Sequence, residues 1–207
     1  MSEPAVHVLR PLLVKATETA HTQLHHHPLL KDVMSANYPL TTYSLLLSAY
    51  HTIYSTLEQS VMAYLGSHSI DFDYQPRLKL PLLQKDLVNL NISVPSLSVI
   101  QGLSPYPAIA SLGDLIGSLY VLEGSSLGAS RITLCLAKHH QLHTDNGAAF
   151  FNGYGEHTRD LWQQFLGFAE QSIAHDAEQC ALAIASAKNT FDYFKRSLDH
   201  YYQASLI

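Results

Sequence analysis

Residues 113–128 read GDLIGSLYVLEGSSLG, and the rest of the chain is best read outward from this stretch. Its glycines stand at 113, 117, 124 and 128, so at about 100° per residue they fall within roughly 60° of one another around a helix. The helical period extends on both sides and predicts a helix over 108–140. Each glycine inside a helix costs about 1 kcal/mol relative to alanine, roughly 4 kcal/mol for the four. That is a large share of a domain's net stability, so something must offset it. Close approach of another helix is one possibility. The other is a flat face for a wide planar ligand, with local bending over 124–128. Spacing alone favours packing, because stripes of small residues more often bring backbones together.

The same period governs most of the chain. Leu9, Leu13, Ala16, Ala20 and Leu24 predict a first helix over 6–26. Pro28 suits the first turn of a short second helix ending near Pro39. Thr41 is the expected N-cap of a long stripe made by Tyr43, Leu46, Leu47, Tyr50, Tyr54, Leu57, Val61 and Leu65, which stops at Gly66. Leu82, Leu83, Leu87 and Leu90 suggest a short helix after an irregular 71–81. The segment 91–107, with three prolines, reads as a loop. A glycine-containing connection follows over 144–155, then closing helices over 158–175 and 177–202. There is no repeat and no alternating strand pattern. The expectation is all-α: one domain over 1–207, a bundle of seven or eight helices.

At 207 residues, with 47% hydrophobic and 14% charged residues, the chain can bury a large core and is no disordered segment. A formal charge of -5 and no basic block argue against a nucleic-acid partner. Two cysteines, Cys135 and Cys180, allow neither a disulfide framework nor a multi-cysteine metal site. The start lacks a secretory pattern, and the most apolar run, 115–122, is too short to span a bilayer. A cytoplasmic protein with no membrane partner is expected.

Thirteen histidines raise the question of a ligand. His21, His25, His26 and His27 cluster on the first helix, and His21 lies about 100° from the buried stripe, at its edge. Arg10, Val14 and Thr17 share that flank. A half-buried surface histidine is the bland reading of His21; a metal-centre ligand is the sharp one. His25, His26 and His27 are expected to face solvent or the helix end. No HExxH, nor other zinc pair with a carboxylate base, occurs. Glu58 and Glu123 lack the ExxH partners of a carboxylate di-iron bundle. No GxSxG elbow, P-loop or GxGxxG is present either.

Taken together, these segments form a family pattern. Leu9-Arg10 with Lys15-Ala16-Thr17-Glu18-Thr19-Ala20-His21-Thr22-Gln23 resembles the proximal-helix motif of haem oxygenases. Tyr54-x-x-Leu57-Glu58 resembles their next long helix. Tyr120-Val121-Leu122-Glu123-Gly124-Ser125-Ser126-Leu127-Gly128-Ala129 resembles their kinked, glycine-rich distal helix, especially in the bacterial, phytochrome-associated branch. Lys188-Asn189-Thr190-Phe191 is similar to a segment lining the haem pocket. The resemblance runs from about Leu9 to Leu198.

What it implies is a haem-oxygenase-like bundle that binds haem b as cofactor and substrate. His21 would ligate the iron, and Gly124, Ser125 and Gly128 would form the catalytic distal face. Arg10, Lys15, Thr17, Ala129, Tyr154, Arg159 and Phe191 would contact the ring or its propionates. The reaction would use O2 and electrons from a donor such as ferredoxin or a flavin reductase, yielding biliverdin, carbon monoxide and ferrous iron. On this resemblance the glycine stripe is expected to serve the ligand. Members of the mammalian type carry aspartate where Ser125 stands and commonly glycine where Ala129 stands. Val14 and Glu18 occupy the spacings of their proximal lysines, which leaves Arg10 and Lys15 as the nearest cations. Two other classes compete: a haem carrier or sensor of the same fold without turnover, and a relative acting on a non-haem molecule or through two metal ions.

Overall fold

The computed structural model describes residues 8–94 and 103–206. Among them are six α-helices of ten residues or more, one single-turn helix, two short 3-10 turns and no strand. We label them α1 (Leu9–His25), α2 (Leu40–Ser67), α3 (Leu80–Asn89), α4 (Leu112–His140), α5 (Ala149–Asn152), α6 (Thr158–Ile173) and α7 (Ala177–Ala204). The 3-10 turns are Gln75–Arg77 and Gly155–His157. The all-α expectation therefore holds, and one continuous apolar core draws on every long helix.

The C-terminal helix α7 is the central post, with α4, α1 and α2 packed along it. Against α4 it meets small residues with small residues. A Cβ on Gly113 would strike the Gln179 carbonyl, and one on Gly117 the Ala183 carbonyl. The seam is stitched by hydroxyls. Ser118 and Ser186 both donate to the Asp114 carbonyl, and the Tyr106 hydroxyl bridges Ser118 and Thr190 at 2.7 and 2.8 Å. Against α2 the contact is aromatic: Tyr50, Tyr54 and Phe194 meet edge to face, with Phe150 joining from α5.

Several helices are started by carboxylates that lie far away in sequence. Glu170 of α6 accepts the backbone N–H groups of Val8 and Leu9 at 2.7 and 3.1 Å, opening α1. Glu58 of α2 accepts those of Lys79 and Leu80 at 2.7 and 3.2 Å, opening α3. Asp86 of α3 accepts those of Ala149 and Phe150, both at 2.8 Å, opening α5. Each satisfies orphan donors and places negative charge at the positive end of a helix. Among the described residues, only α4 and α7 carry local side-chain caps, from Ser111 and Asp176.

Four boundaries differ from the sequence reading. The short second helix is absent, and 27–37 runs as successive turns. Its backbone groups are taken by side chains: the Leu29 N–H donates to His27 Nδ1 and the Leu29 carbonyl accepts from Tyr38. His27 is accordingly buried, not turned to solvent as expected. Helix α2 begins at Leu40, ahead of Thr41, because Pro39 holds an extended φ/ψ and its carbonyl accepts from Tyr43. Helix α4 begins at Leu112, not at 108, because Ser111 caps it. The connection over 144–155 contains α5, started by Asp86. The start expected at residue 6 lies outside the described residues, as does 95–102 of the expected loop.

Candidate functional site

Helix α1 buries Leu9, Leu13 and Thr17 and turns the next positions outward. Four residues on from Thr17, His21 is exposed at the helix flank, with its ring edge-on to Phe191 of α7 at a centroid distance of 6.0 Å. Its Nε2 lies 3.2 Å from Nε2 of His25, one turn further on. Burial, and then the neighbouring His25, push the His21 imidazole below its ordinary value. The neutral ring, whose nitrogen lone pair can ligate a metal, is therefore favoured at neutral pH.

On α4 the glycine stripe splits into two parts. Gly113 and Gly117 serve helix packing, since α7 backbone occupies the space of any side chain there. Gly128 has nothing within 4 Å of the position a Cβ would take, and Gly124 meets only the Trp162 ring at 3.7 Å. The expectation that the stripe as a whole serves a ligand is thus corrected for its first half, and only the second half remains open. The cause is geometric: α7 backbone lies against Gly113 and Gly117 but not within 4 Å of a Cβ at Gly124 or Gly128.

Helices α1 and α4 both pack along α7 but make no extended contact with each other. His21 stands on the first of these helices, against Phe191 of α7, and the open Gly124–Gly128 face on the second. Both helices also carry an exposed apolar side chain, Val14 on α1 and Leu127 on α4. The donor chemistry suits a planar apolar group that carries a metal: an exposed imidazole at His21, an aromatic ring edge-on to it at Phe191, and open space over the α4 backbone at Gly128.

Beneath the α4 wall lies a buried ionic cluster. Arg77 donates to Glu123 Oε2 at 2.8 Å, and Tyr154 donates to Glu123 Oε1 at 2.9 Å. The Lys79 ammonium, 2% exposed, donates to the Leu122 carbonyl at 2.6 Å and stands over the rings of Tyr154 and Tyr54. Burial raises the Glu58 carboxyl above its ordinary value despite two backbone N–H donors, and lowers Lys79 despite both carboxylates. Ser125 also donates to the Leu122 carbonyl, at 2.7 Å, so its other contact, 2.9 Å from the Tyr54 hydroxyl, must be one that Tyr54 donates. Two donors from outside the helical ladder thus converge on one carbonyl just ahead of Gly124. Such competition loosens a helix locally.

The other residues expected at the site do not all reach it. Phe191 lies against His21. Ala129, 9% exposed, belongs to the core side of α4. Thr17 is buried and its hydroxyl is spent on the Leu13 carbonyl. Tyr154 is drawn away from a ligand role, since its hydroxyl is bound at Glu123 and the Arg77 carbonyl. Arg10, Lys15 and Arg159 are exposed. Sequence reasoning left out Trp162, which faces Gly124, and the supporting pair Lys79 and Arg77. It also set His25 apart from His21, although their four-residue spacing was the available signal.

The chain matches the family described as heme oxygenase over residues 8–200. It belongs to that family. No curated protein matches it in sequence. Among solved structures, the fold is similar to the NO- and CO-bound heme oxygenase of Neisseria meningitidis, with TM-score 0.73, 19% identity, and coverage of 94% of this chain and 92% of that one. It is also similar to heme oxygenase from Leptospira interrogans, with TM-score 0.70, 14% identity and coverage of 94% and 98%. A third is heme oxygenase-1 of the cyanobacterium Synechocystis sp. PCC6803, solved in complex with heme, with TM-score 0.70, 15% identity and coverage of 94% and 91%. At these identities the likeness is one of fold. Among the described residues of this haem oxygenase family member, no helix is long and apolar enough to cross a membrane.

Proposed function

We propose that this protein is a catalytically active haem oxygenase that cleaves haem to biliverdin, carbon monoxide and ferrous iron, using O2 and external electrons. The observation that carries the reading is the family match over residues 8–200, which takes in both the exposed His21 imidazole of α1 and the open face of α4 at Gly128. Haem, bound there, supplies the iron that activates O2 and the ring that is oxidised. The chain's own residues bind and orient. His21 would hold the iron through Nε2, with Phe191 edge-on to its ring. Gly124 and Gly128 let α4 backbone approach closely, which limits the directions in which a diatomic molecule can lie. Ser125, whose proton is committed to Leu122, keeps an acceptor lone pair that can orient a water. Arg10, Lys15 and Arg159, exposed and free to move, are the cations proposed to meet the propionates, since leaving those charges unpaired would be costly. A cytoplasmic setting with a ferredoxin or flavin reductase as electron donor completes the proposal; the two free cysteines suit a reducing compartment.

One observation favours a second reading, a haem binder without turnover: the Ser125 hydroxyl has no proton left to donate at the distal wall. Adding haemin, O2 and a reductant and following the Soret band separates the two. Decay of the band with growth of biliverdin absorbance supports the oxygenase. A stable band under the same conditions supports the carrier.

A further inference from the structure

The His21–His25 pair does more than place an axial ligand. Both rings are exposed, both sit on the same face of α1 one turn apart, and their Nε2 atoms lie 3.2 Å from each other. A divalent transition ion bound by two imidazoles at about 2.0–2.1 Å holds their nitrogens about 3.3 Å apart in tetrahedral geometry and about 2.9 Å apart at right angles. The observed separation falls between these values. We propose that the haem-free protein chelates a divalent transition cation, of the class Cu2+, Ni2+ or Zn2+, through Nε2 of His21 and His25.

In the ion's absence one Nε2–H donates to the other Nε2. On binding, that proton moves to Nδ1 of its own ring, both Nε2 lone pairs go to the metal, and no oxidant or net proton is required. Among the described residues no third histidine, cysteine or carboxylate joins the pair, so water completes the coordination and the ion exchanges readily. The His26 ring is held apart from the pair, its Nδ1–H donating to the Thr22 carbonyl 2.8 Å away. The consequence for haem rests on the reading of His21 as its axial ligand: metal and haem compete for one nitrogen, so free divalent metal slows haem loading.

The test uses untagged, haem-free protein. Cu2+ is titrated by calorimetry and followed by the nitrogen hyperfine structure of its paramagnetic resonance. Zn2+ is then used as the silent competitor in haemin titrations. His21→Ala and His25→Ala should each weaken Cu2+ binding on the order of tenfold or more, while His26→Ala retains it. Zn2+ should weaken haem binding to the wild type and leave His25→Ala unaffected. Equal Cu2+ affinity in wild type and His25→Ala overturns the proposal. If the pair binds Zn2+ yet haem binding is indifferent to it, the metal site stands and the axial role of His21 falls.

Discussion

At the residue scale, the stretch of α4 just ahead of Gly124 is held by side chains that are themselves buried. Lys79 stands among Glu58, Glu123 and Arg77, and among the described residues it is the only side chain apart from Ser125 bonded to the Leu122 carbonyl. Removing one partner of a buried ionic set leaves a charge uncompensated, which costs about 3–5 kcal/mol. Lys79→Met should therefore lower unfolding stability in urea by about that much. The control is Lys195→Met, which breaks an exposed pair with Asp199; it should cost under about 1 kcal/mol. Similar losses for both would mean that the buried lysine holds nothing together. Little of this cluster was legible in the sequence. Glu58 and Glu123 stood out only as carboxylates without ExxH partners and as members of two family motifs, and Arg77 and Lys79 fall in a segment with no regular period. What joins them is the fold.

At the element scale, the helices were legible and their starts were not. Amphipathic stripes mark α1, α2, α6 and α7 because burial on one face imposes the period. Caps supplied by Glu170, Glu58 and Asp86 from other helices leave no local signal at all. The α4 stripe shows a different limit: one spacing encodes two roles, and only the path of α7 tells them apart. The two halves should respond differently to substitution. Gly117→Ala forces a methyl onto the Ala183 backbone and should destabilise the haem-free protein by about 1–3 kcal/mol. Gly128→Leu meets open space and should leave haem-free stability within about 1 kcal/mol, since leucine is the better helix former. It should nevertheless weaken haem binding and slow turnover. Denaturation of both variants with haemin titration checks this, and a collapse of Gly128→Leu before haem is added would return the whole stripe to packing.

At the scale of the whole molecule, buried histidines couple stability to pH. Nε2 of His51 is buried without a partner among the described residues, and burial lowers its pKa from 6.5. Between that lowered value and 6.5 the unfolded chain binds a proton that the folded one refuses. Stability therefore rises with pH across the window and is lost as pH falls through it. In the wild type the urea midpoint should drop from neutral pH to about one unit below the ordinary histidine value. The drop should be shallower in His51→Leu, and equal drops would remove His51 from the account. The family resemblance and the placement of His21 at a helix flank were readable in advance. The way α1 and α4 are set along α7 was not, because it depends on packing between helices far apart in sequence.

The central claim is that haem is held by His21, and a haemin titration of wild type and His21→Ala tests it most directly. The wild type should take up one haem per chain and develop a ferric, histidine-ligated spectrum. His21→Ala should lose that spectrum, and added imidazole should restore it in part. If His21→Ala keeps the wild-type spectrum, the iron is held elsewhere and the assignment of the site is wrong.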